Sequence, residues 1–203
     1  MKPHQGILSS LVIPTVFEEQ RGGVKIYYDL FSRLLKDRIV FVVGEITNQL
    51  ATIVVAQLLY LEKENPKEEI QLYISSPGGS VDAGFAILDT MRYIQAPVVT
   101  IGLGGVASFA SILLAAGEKG KRYLLPHTKV MIHQPWLTGL GRVDVTELEI
   151  TADMMKKIKV ELTQLLADLT GKPYKQVEKD VERDFWMNAE EAVKYGLADK
   201  VLV

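Results

Sequence analysis

The sequence has no cysteine, and only three of its 203 residues are histidine. The absence of cysteine excludes disulfides, thiol nucleophiles, iron–sulfur clusters and cysteine-ligated zinc, and it fits a reducing compartment such as the cytoplasm. An imidazole base, if there is one, must be His4, His127 or His133. Neither sign of charge dominates, since 23 Lys and Arg accompany 25 Asp and Glu. This balance argues against a protein that binds nucleic acid.

Long hydrophobic runs are also scarce. The one uncharged stretch of membrane-spanning length runs from Tyr93 to Gly117. Pro97 and three glycines divide it into a β-rich part and a helical part, which is typical of a buried strand followed by a buried helix. No signal peptide is recognised near the N-terminus. We therefore expect a cytoplasmic protein without a membrane segment.

Apolar runs alternate between strand-like and helix-like patterns along most of the chain. Tyr27 to Leu35 has helical spacing, and a long helix with an apolar stripe is expected after Arg142. Strands are predicted at 39–43, 70–75, 98–102, 122–125 and 130–133, and helices at 47–63, 81–94 and 107–117. Strands separated by helices imply crossover connections and a mainly parallel sheet. The prediction is one α/β domain over residues 11–203, preceded by a propeptide or mobile segment at 1–10.

Ser108 is the first residue of chemical interest. It follows a Gly-Gly turn at the start of an uncharged helix. A serine at a strand–turn–helix junction exposes its hydroxyl beside backbone N–H groups that favour negative charge. Serine is also a common helix cap, so the position alone allows either a nucleophile or a cap.

Two further segments end predicted strands with polar or flexible groups. His133 follows an apolar strand, and the turn Ser76-Pro77-Gly78-Gly79 follows another. Such strand ends are where α/β proteins place functional groups, although taken alone a structural histidine and a tight turn are the commoner explanations. Acidic residues cluster at Asp180, Glu182 and Asp184, and spacing alone does not select which of them would orient a histidine.

Together these segments resemble the ClpP family, the proteolytic subunits of ATP-dependent Clp proteases. The similarity extends from about Ile13 to Val201, and Ser108 and His133 have the separation of the family pattern. The matching motifs are Tyr-Asp-Leu-Phe-Ser-Arg-Leu-Leu-Lys-Asp-Arg (28–38), Ser-Pro-Gly-Gly (76–79), Ala-Gly-Glu-Lys-Gly-Lys-Arg (116–122), Met-Ile-His-Gln-Pro (131–135), Glu-Arg-Asp (182–184) and Tyr-Gly-Leu-Ala-Asp (195–199).

The resemblance implies a serine endopeptidase with a ClpP/crotonase-like fold. Ser108 matches the nucleophile, His133 the general base and Asp180 the orienting acid. The backbone N–H groups of Gly79 and Phe109 match the oxyanion hole. The family also implies two stacked heptameric rings joined by the long handle helix, with a Clp-family AAA+ ATPase that feeds in unfolded polypeptide. No cofactor is expected in this subunit, because ATP is used by the partner.

Two departures from the family pattern affect these expectations. Phe109 is bulkier than the usual residue after the nucleophile, and Gln71 replaces an aromatic residue of the ATPase-docking groove. Two alternatives accompany the main interpretation. One is a subunit of restricted activity in a ring shared with a second paralogue, and the other is an acyl-CoA enzyme of the crotonase class.

Overall fold

The computed structural model describes residues 12–137, 139 and 141–203. These form two compact units, one that ends at Ile39 and one that spans Val40–Val203. The predicted propeptide at 1–10 lies outside the described residues, and the single-domain prediction stays a prediction. The two units are described separately.

The N-terminal unit contains a β-hairpin and a short helix. Strands β1 (Thr15–Glu19) and β2 (Lys25–Asp29) pair antiparallel, and helix α1 spans Leu30–Lys36. The predicted helical pattern was wrong at Tyr27, which lies in β2. The helix begins after Asp29 because that carboxylate accepts a hydrogen bond from Ser32 N at 3.0 Å, which caps the first turn.

The larger unit is built on a mainly parallel sheet. Its strands are β3 (Ile39–Val43), β4 (Ile70–Ser76), β5 (Val98–Ala107), β6 (Arg122–Leu124), β7 (Lys129–Ile132), β8 (Phe185–Met187) and β9 (Lys200–Val201). Strands β4, β5, β6 and β9 are parallel neighbours, β7 runs parallel to β5, and β8 pairs antiparallel with β7. The strand order is β3-β4-β5-β6-β9. This architecture confirms the predicted α/β fold with a mainly parallel sheet.

Helices connect these strands, and their ends follow local sequence signals. Thr47 caps the first of them by accepting a hydrogen bond from Leu50 N, and Gly171 ends the longest in a left-handed conformation. The helices are α2 (Asn48–Glu64), α3 (Val81–Tyr93), α4 (Phe109–Ala115), α5 (Val145–Thr170), α6 (Tyr174–Asp180) and α7 (Ala189–Tyr195). Among the described residues, none of these helices combines the length and the apolar character needed to cross a membrane.

Strand β5 is longer than predicted, and this length shapes the sheet. The prediction ended the strand at residue 102, but the structure continues it to Ala107. The first half of β5 pairs with β6 at Thr100–Gly102, and the second half pairs with β7 at Gly105–Ala107. Because β5 changes partner along one edge, its last residue lies beside β7.

A buried ion pair lies at the β6–β9 end of the sheet. The Arg122 guanidinium is 6% exposed and donates to both carboxylate oxygens of Asp199, at 2.9 and 2.6 Å. It also donates to the carbonyl groups of Ala115 and Gly196. These hydrogen bonds lower the pKa of Asp199. The Arg122 hydrogen bonds join β6 to the end of α4 and to the segment before β9. They thus give a structural role to two motifs of the family resemblance, 116–122 and 195–199.

Helices α3 and α4 meet through an aromatic pair. The Phe109 ring is 3% exposed and lies edge-on to the Phe85 ring, with 5.2 Å between the centroids. It covers Gly84, where an added methyl group would overlap the ring. Although Phe109 follows Ser108 in the sequence, its ring packs between the two helices.

We expect Gly84→Ala to lower the free energy of unfolding by about 1–2 kcal/mol, as for an overpacked core. Helix propensity alone would favour alanine by about 1 kcal/mol, so a net loss must come from overlap with Phe109. Denaturant unfolding measures the change. Gly105→Ala is the matched control, because open space surrounds that position. Equal changes in the two variants would contradict this packing.

Candidate active site

The sheet register brings Ser108 to His133. Ala107 pairs with Met131 in the β5–β7 ladder, and the Ser108 N–H donates to the Met131 carbonyl at 2.9 Å. His133 follows the end of β7 by one residue, and its Nε2 lies 2.8 Å from Ser108 Oγ. When the imidazole is protonated on Nδ1, Nε2 accepts the hydrogen bond from the hydroxyl. A hydroxyl held against an imidazole in this way can be activated as a nucleophile.

The Ser108 backbone has an unusual conformation, with φ 56° and ψ −129°. Positive φ at a residue with a side chain is strained, typically by about 1–3 kcal/mol, and it persists only where surrounding contacts impose it. Here the Ser108 N–H bonds to β7 and the carbonyl accepts from Ser111 N. The Ser108 side chain makes no capping hydrogen bond to α4. Ser108 thus occupies the N-cap position of α4, but its hydroxyl is directed to His133 instead of capping the helix.

Ser111, one turn further along α4, is bonded to the backbone of Ser108. It is fully buried, and its Oγ donates to the Ser108 carbonyl at 2.6 Å. Its hydroxyl is therefore used to hold the Ser108 backbone, whereas the Ser108 side chain is partly accessible.

The antiparallel β7–β8 ladder brings Asp184 to His133. Ile132 pairs with Phe185, so the next pair in the same register would be His133 and Asp184. His133 Nδ1 lies 3.6 Å from Asp184 Oδ1. The side chain of His133 is 11% exposed and that of Asp184 is 63% exposed. Burial lowers the pKa of His133, and the Asp184 carboxylate opposes that shift.

The structure does not bring Asp180, the predicted orienting acid, to His133. Asp180 is the last residue of α6, where its Oδ2 accepts a hydrogen bond from the Tyr195 hydroxyl at 2.9 Å. Burial, together with this bond, raises the pKa of Tyr195. Asp180 therefore joins α6 to α7, and Asp184 is the carboxylate beside the imidazole.

The glycine turn after β4 lies directly against Ser108. Gly78 has φ 90°, and a Cβ there would lie only 2.5 Å from the Ser108 Cβ. The Gly78 carbonyl accepts from Ile46 N, and Ser80 N donates to the Ile46 carbonyl. Ile46 and Gly79 form a parallel bridge, in which both hydrogen bonds are made by the residues that flank Gly79. The N–H of Gly79 is therefore directed away from Ile46. Gly79, with an N–H that this bridge does not use, thus follows directly on the glycine that lies against Ser108.

Phe109 supplies a second backbone donor beside Ser108. It is the first residue of α4, so its N–H has no acceptor within the helix. The side chain, by contrast, is buried between α3 and α4. Both predicted oxyanion-hole residues thus come from segments in contact with Ser108.

Trp136 was not predicted as a site residue, but it borders His133. The two rings meet edge-on with centroids 6.2 Å apart, and Trp136 is 70% exposed. Residues 138 and 140, in the segment that follows, lie outside the described residues. No group of three or more His, Asp or Glu side chains comes together at metal-binding distance in the described part of the chain.

A comparison with known protein families identifies the family of this chain. The Clp protease family model matches residues 21–203, and the chain therefore belongs to the Clp protease family. The match confirms the resemblance drawn from the sequence and supports a ClpP-type peptidase rather than an acyl-CoA enzyme. The family implies a serine peptidase and, in general, self-association and partnership with an ATPase.

Asp184→Asn and Asp180→Asn make the same chemical change four residues apart. Asp184→Asn should lower kcat by about 10²–10⁴-fold. The upper figure is typical of a triad carboxylate, and the lower figure allows for the exposure of Asp184 to solvent. Asp180→Asn should stay within about threefold, because an amide oxygen still accepts from Tyr195. Hydrolysis of a short fluorogenic peptide measures both. The reverse ranking would restore Asp180 as the acid.

Proposed function

We propose that the protein is the proteolytic subunit of an ATP-dependent Clp protease and hydrolyses peptide bonds through an acyl-enzyme. Ser108 is the nucleophile, His133 the general base, and Asp184 replaces Asp180 as the orienting acid. The observation that supports this most directly is the 2.8 Å contact between Ser108 Oγ and His133 Nε2.

The chemistry divides one difficult hydrolysis into two steps. Ser108 Oγ attacks the substrate carbonyl carbon while His133 Nε2 takes the hydroxyl proton. The tetrahedral intermediate then expels the amine, which receives that proton, and an ester remains on Ser108. Water then attacks this ester while His133 again takes a proton. The carboxylic acid product leaves, and His133 returns the proton to Ser108 Oγ.

Gly79 and Phe109 supply the oxyanion hole in this proposal. Their backbone N–H groups belong to separate segments that both contact Ser108. Donors that are already in place stabilise the negative charge on the tetrahedral oxygen without reorganisation. The steric contact between Gly78 and Ser108 fixes the turn relative to the nucleophile.

Asp184 acts mainly through its charge in the structure as it stands. Its 3.6 Å distance from Nδ1 exceeds a hydrogen bond, so the two groups interact electrostatically across a short gap. The carboxylate stabilises the imidazolium that forms when His133 takes the proton. Because Asp184 is more than half exposed, solvent weakens this effect relative to a buried triad.

The proposal includes the assembly that the family implies. Two stacked heptameric rings would enclose the sites, and a Clp-family AAA+ ATPase would unfold substrates and feed them in. Gln71, which departs from the docking groove of the family, is exposed and accepts a hydrogen bond from the Tyr73 hydroxyl at 3.4 Å. Degradation of a tagged folded reporter, with and without ATPase and ATP, tests this part. Degradation of the folded reporter without the ATPase would contradict it.

Ser108→Ala should abolish labelling by a fluorophosphonate probe and lower peptide hydrolysis by about 10⁴–10⁶-fold, as loss of a triad nucleophile does. The substitution removes one partly exposed oxygen, so the fold should be kept. Ser111→Ala is the matched control and should retain the label. Labelling of Ser108→Ala but not of Ser111→Ala would assign the nucleophile to Ser111.

The activity should depend on pH through His133. Only the neutral imidazole accepts the serine proton, and burial lowers the pKa of His133. Activity should therefore be lost as the pH falls, with a midpoint below the ordinary histidine value of about 6.5. The pH dependence of kcat/KM reports this midpoint for the free enzyme. A midpoint at pH 7 or higher would be inconsistent with the neutral, buried base.

A further inference from the structure

Gln134 joins the segment after β7 to the turn that contains Asp184. Its backbone N–H donates to the Val181 carbonyl at 2.6 Å, and its side-chain Nε2 donates to the Glu182 carbonyl at 3.0 Å. Gln134 is the residue next to His133. One residue therefore makes two hydrogen bonds to the acid turn, which we define as residues 181–184.

The two bonds do not continue the β7–β8 ladder. In the register of that ladder, Gln134 would lie opposite Arg183. Its donors instead reach Val181 and Glu182, so the acid turn curls back towards the start of the loop after His133. The two bonds are therefore contacts to the turn and not an extension of the sheet.

The β8 pairing holds the backbone from Phe185 onward, but few contacts fix Asp184 itself. Val181 is buried, but Glu182, Arg183 and Asp184 are all exposed, so side-chain packing does not fix the end of the turn. Among the described residues, the Asp184 carboxylate makes no hydrogen bond or ion pair apart from its approach to His133. The distance between these two groups therefore depends on the backbone of the turn.

We propose that Gln134 is a positioning residue that holds Asp184 at its place beside His133. This inference rests on the proposed function and deepens it, because it names the group that fixes the acid. Gln134 touches no reacting atom. It acts through the Glu182 carbonyl, two residues before Asp184.

The test removes the side-chain donor and keeps the shape. Gln134→Met loses the Nε2 bond, whereas the backbone bond to Val181 stays. We expect kcat for a fluorogenic peptide to fall about 10- to 100-fold, since small displacements of a catalytic group can cost up to about 10²-fold. KM should change less than about twofold. Gln134→Ala, which lacks the same donor, should show a similar loss.

Gln164→Met is the matched control. Gln164 lies on α5, and its Nε2 donates to Asp168 Oδ1 at 2.8 Å. The substitution thus removes the same kind of side-chain bond far along the chain from the acid turn. Its kcat should stay within about twofold of the parent. Circular dichroism and thermal unfolding verify that each variant is folded.

Two measurements separate positioning from a general structural effect. In the Asp184→Asn background, Gln134→Met should cause less than about a twofold further loss of kcat, because a residue that positions a carboxylate has no effect once that carboxylate is gone. With Asp184 intact, Gln134→Met should move the acid limb of kcat/KM to lower pH, because that carboxylate raises the pKa of His133. A structural defect would lower the whole profile without moving it.

An equal loss in both backgrounds, an unmoved acid limb, or full activity of Gln134→Met would each overturn the proposal. Ser108→Ala distinguishes this failure from failure of the proposed function. If Ser108→Ala is inactive and Gln134→Met is fully active, only the positioning role is wrong. If Ser108→Ala retains activity, the nucleophile assignment itself has failed.

Discussion

The hydrogen bond from Ser108 N to the Met131 carbonyl is the constraint on which the site depends. It forms because β5 leaves β6 after Gly102 and continues along β7, so that its end is held by a neighbour. This pairing imposes the strained Ser108 backbone and places His133 against the hydroxyl.

The sequence predicted most of what local patterns determine. Apolar periodicity placed β3, β4, α2 and α3 to within one or two residues, because each has a clear repeat and a capping or turn residue at its end. Ser108 and His133 were also recognised, since both lie where a strand or turn ends. The short strands β8 and β9 were missed, because two or three residues have no measurable period.

The same limit applies to the choice between two acidic residues as the partner of His133. Asp180 and Asp184 have similar sequence surroundings, and only the antiparallel pairing of β8 with β7 determines which one faces His133. The pairing joins residues about 50 positions apart along the chain, so no local signal contains it. Phe109 shows the same limit, because its position after the nucleophile gave no indication that the ring would pack on Gly84.

Because Asp184 is exposed, the effective dielectric constant around its carboxylate depends on what covers this part of the surface. A carboxylate in water exerts a weak field, while the same charge at 3.6 Å acts several times more strongly where the effective dielectric constant falls from about 80 to about 20. Any surface that covered the turn would therefore strengthen the attraction between Asp184 and an imidazolium at His133 without moving either group. The basicity of the histidine is thus set partly by whatever adjoins the outer face of the turn.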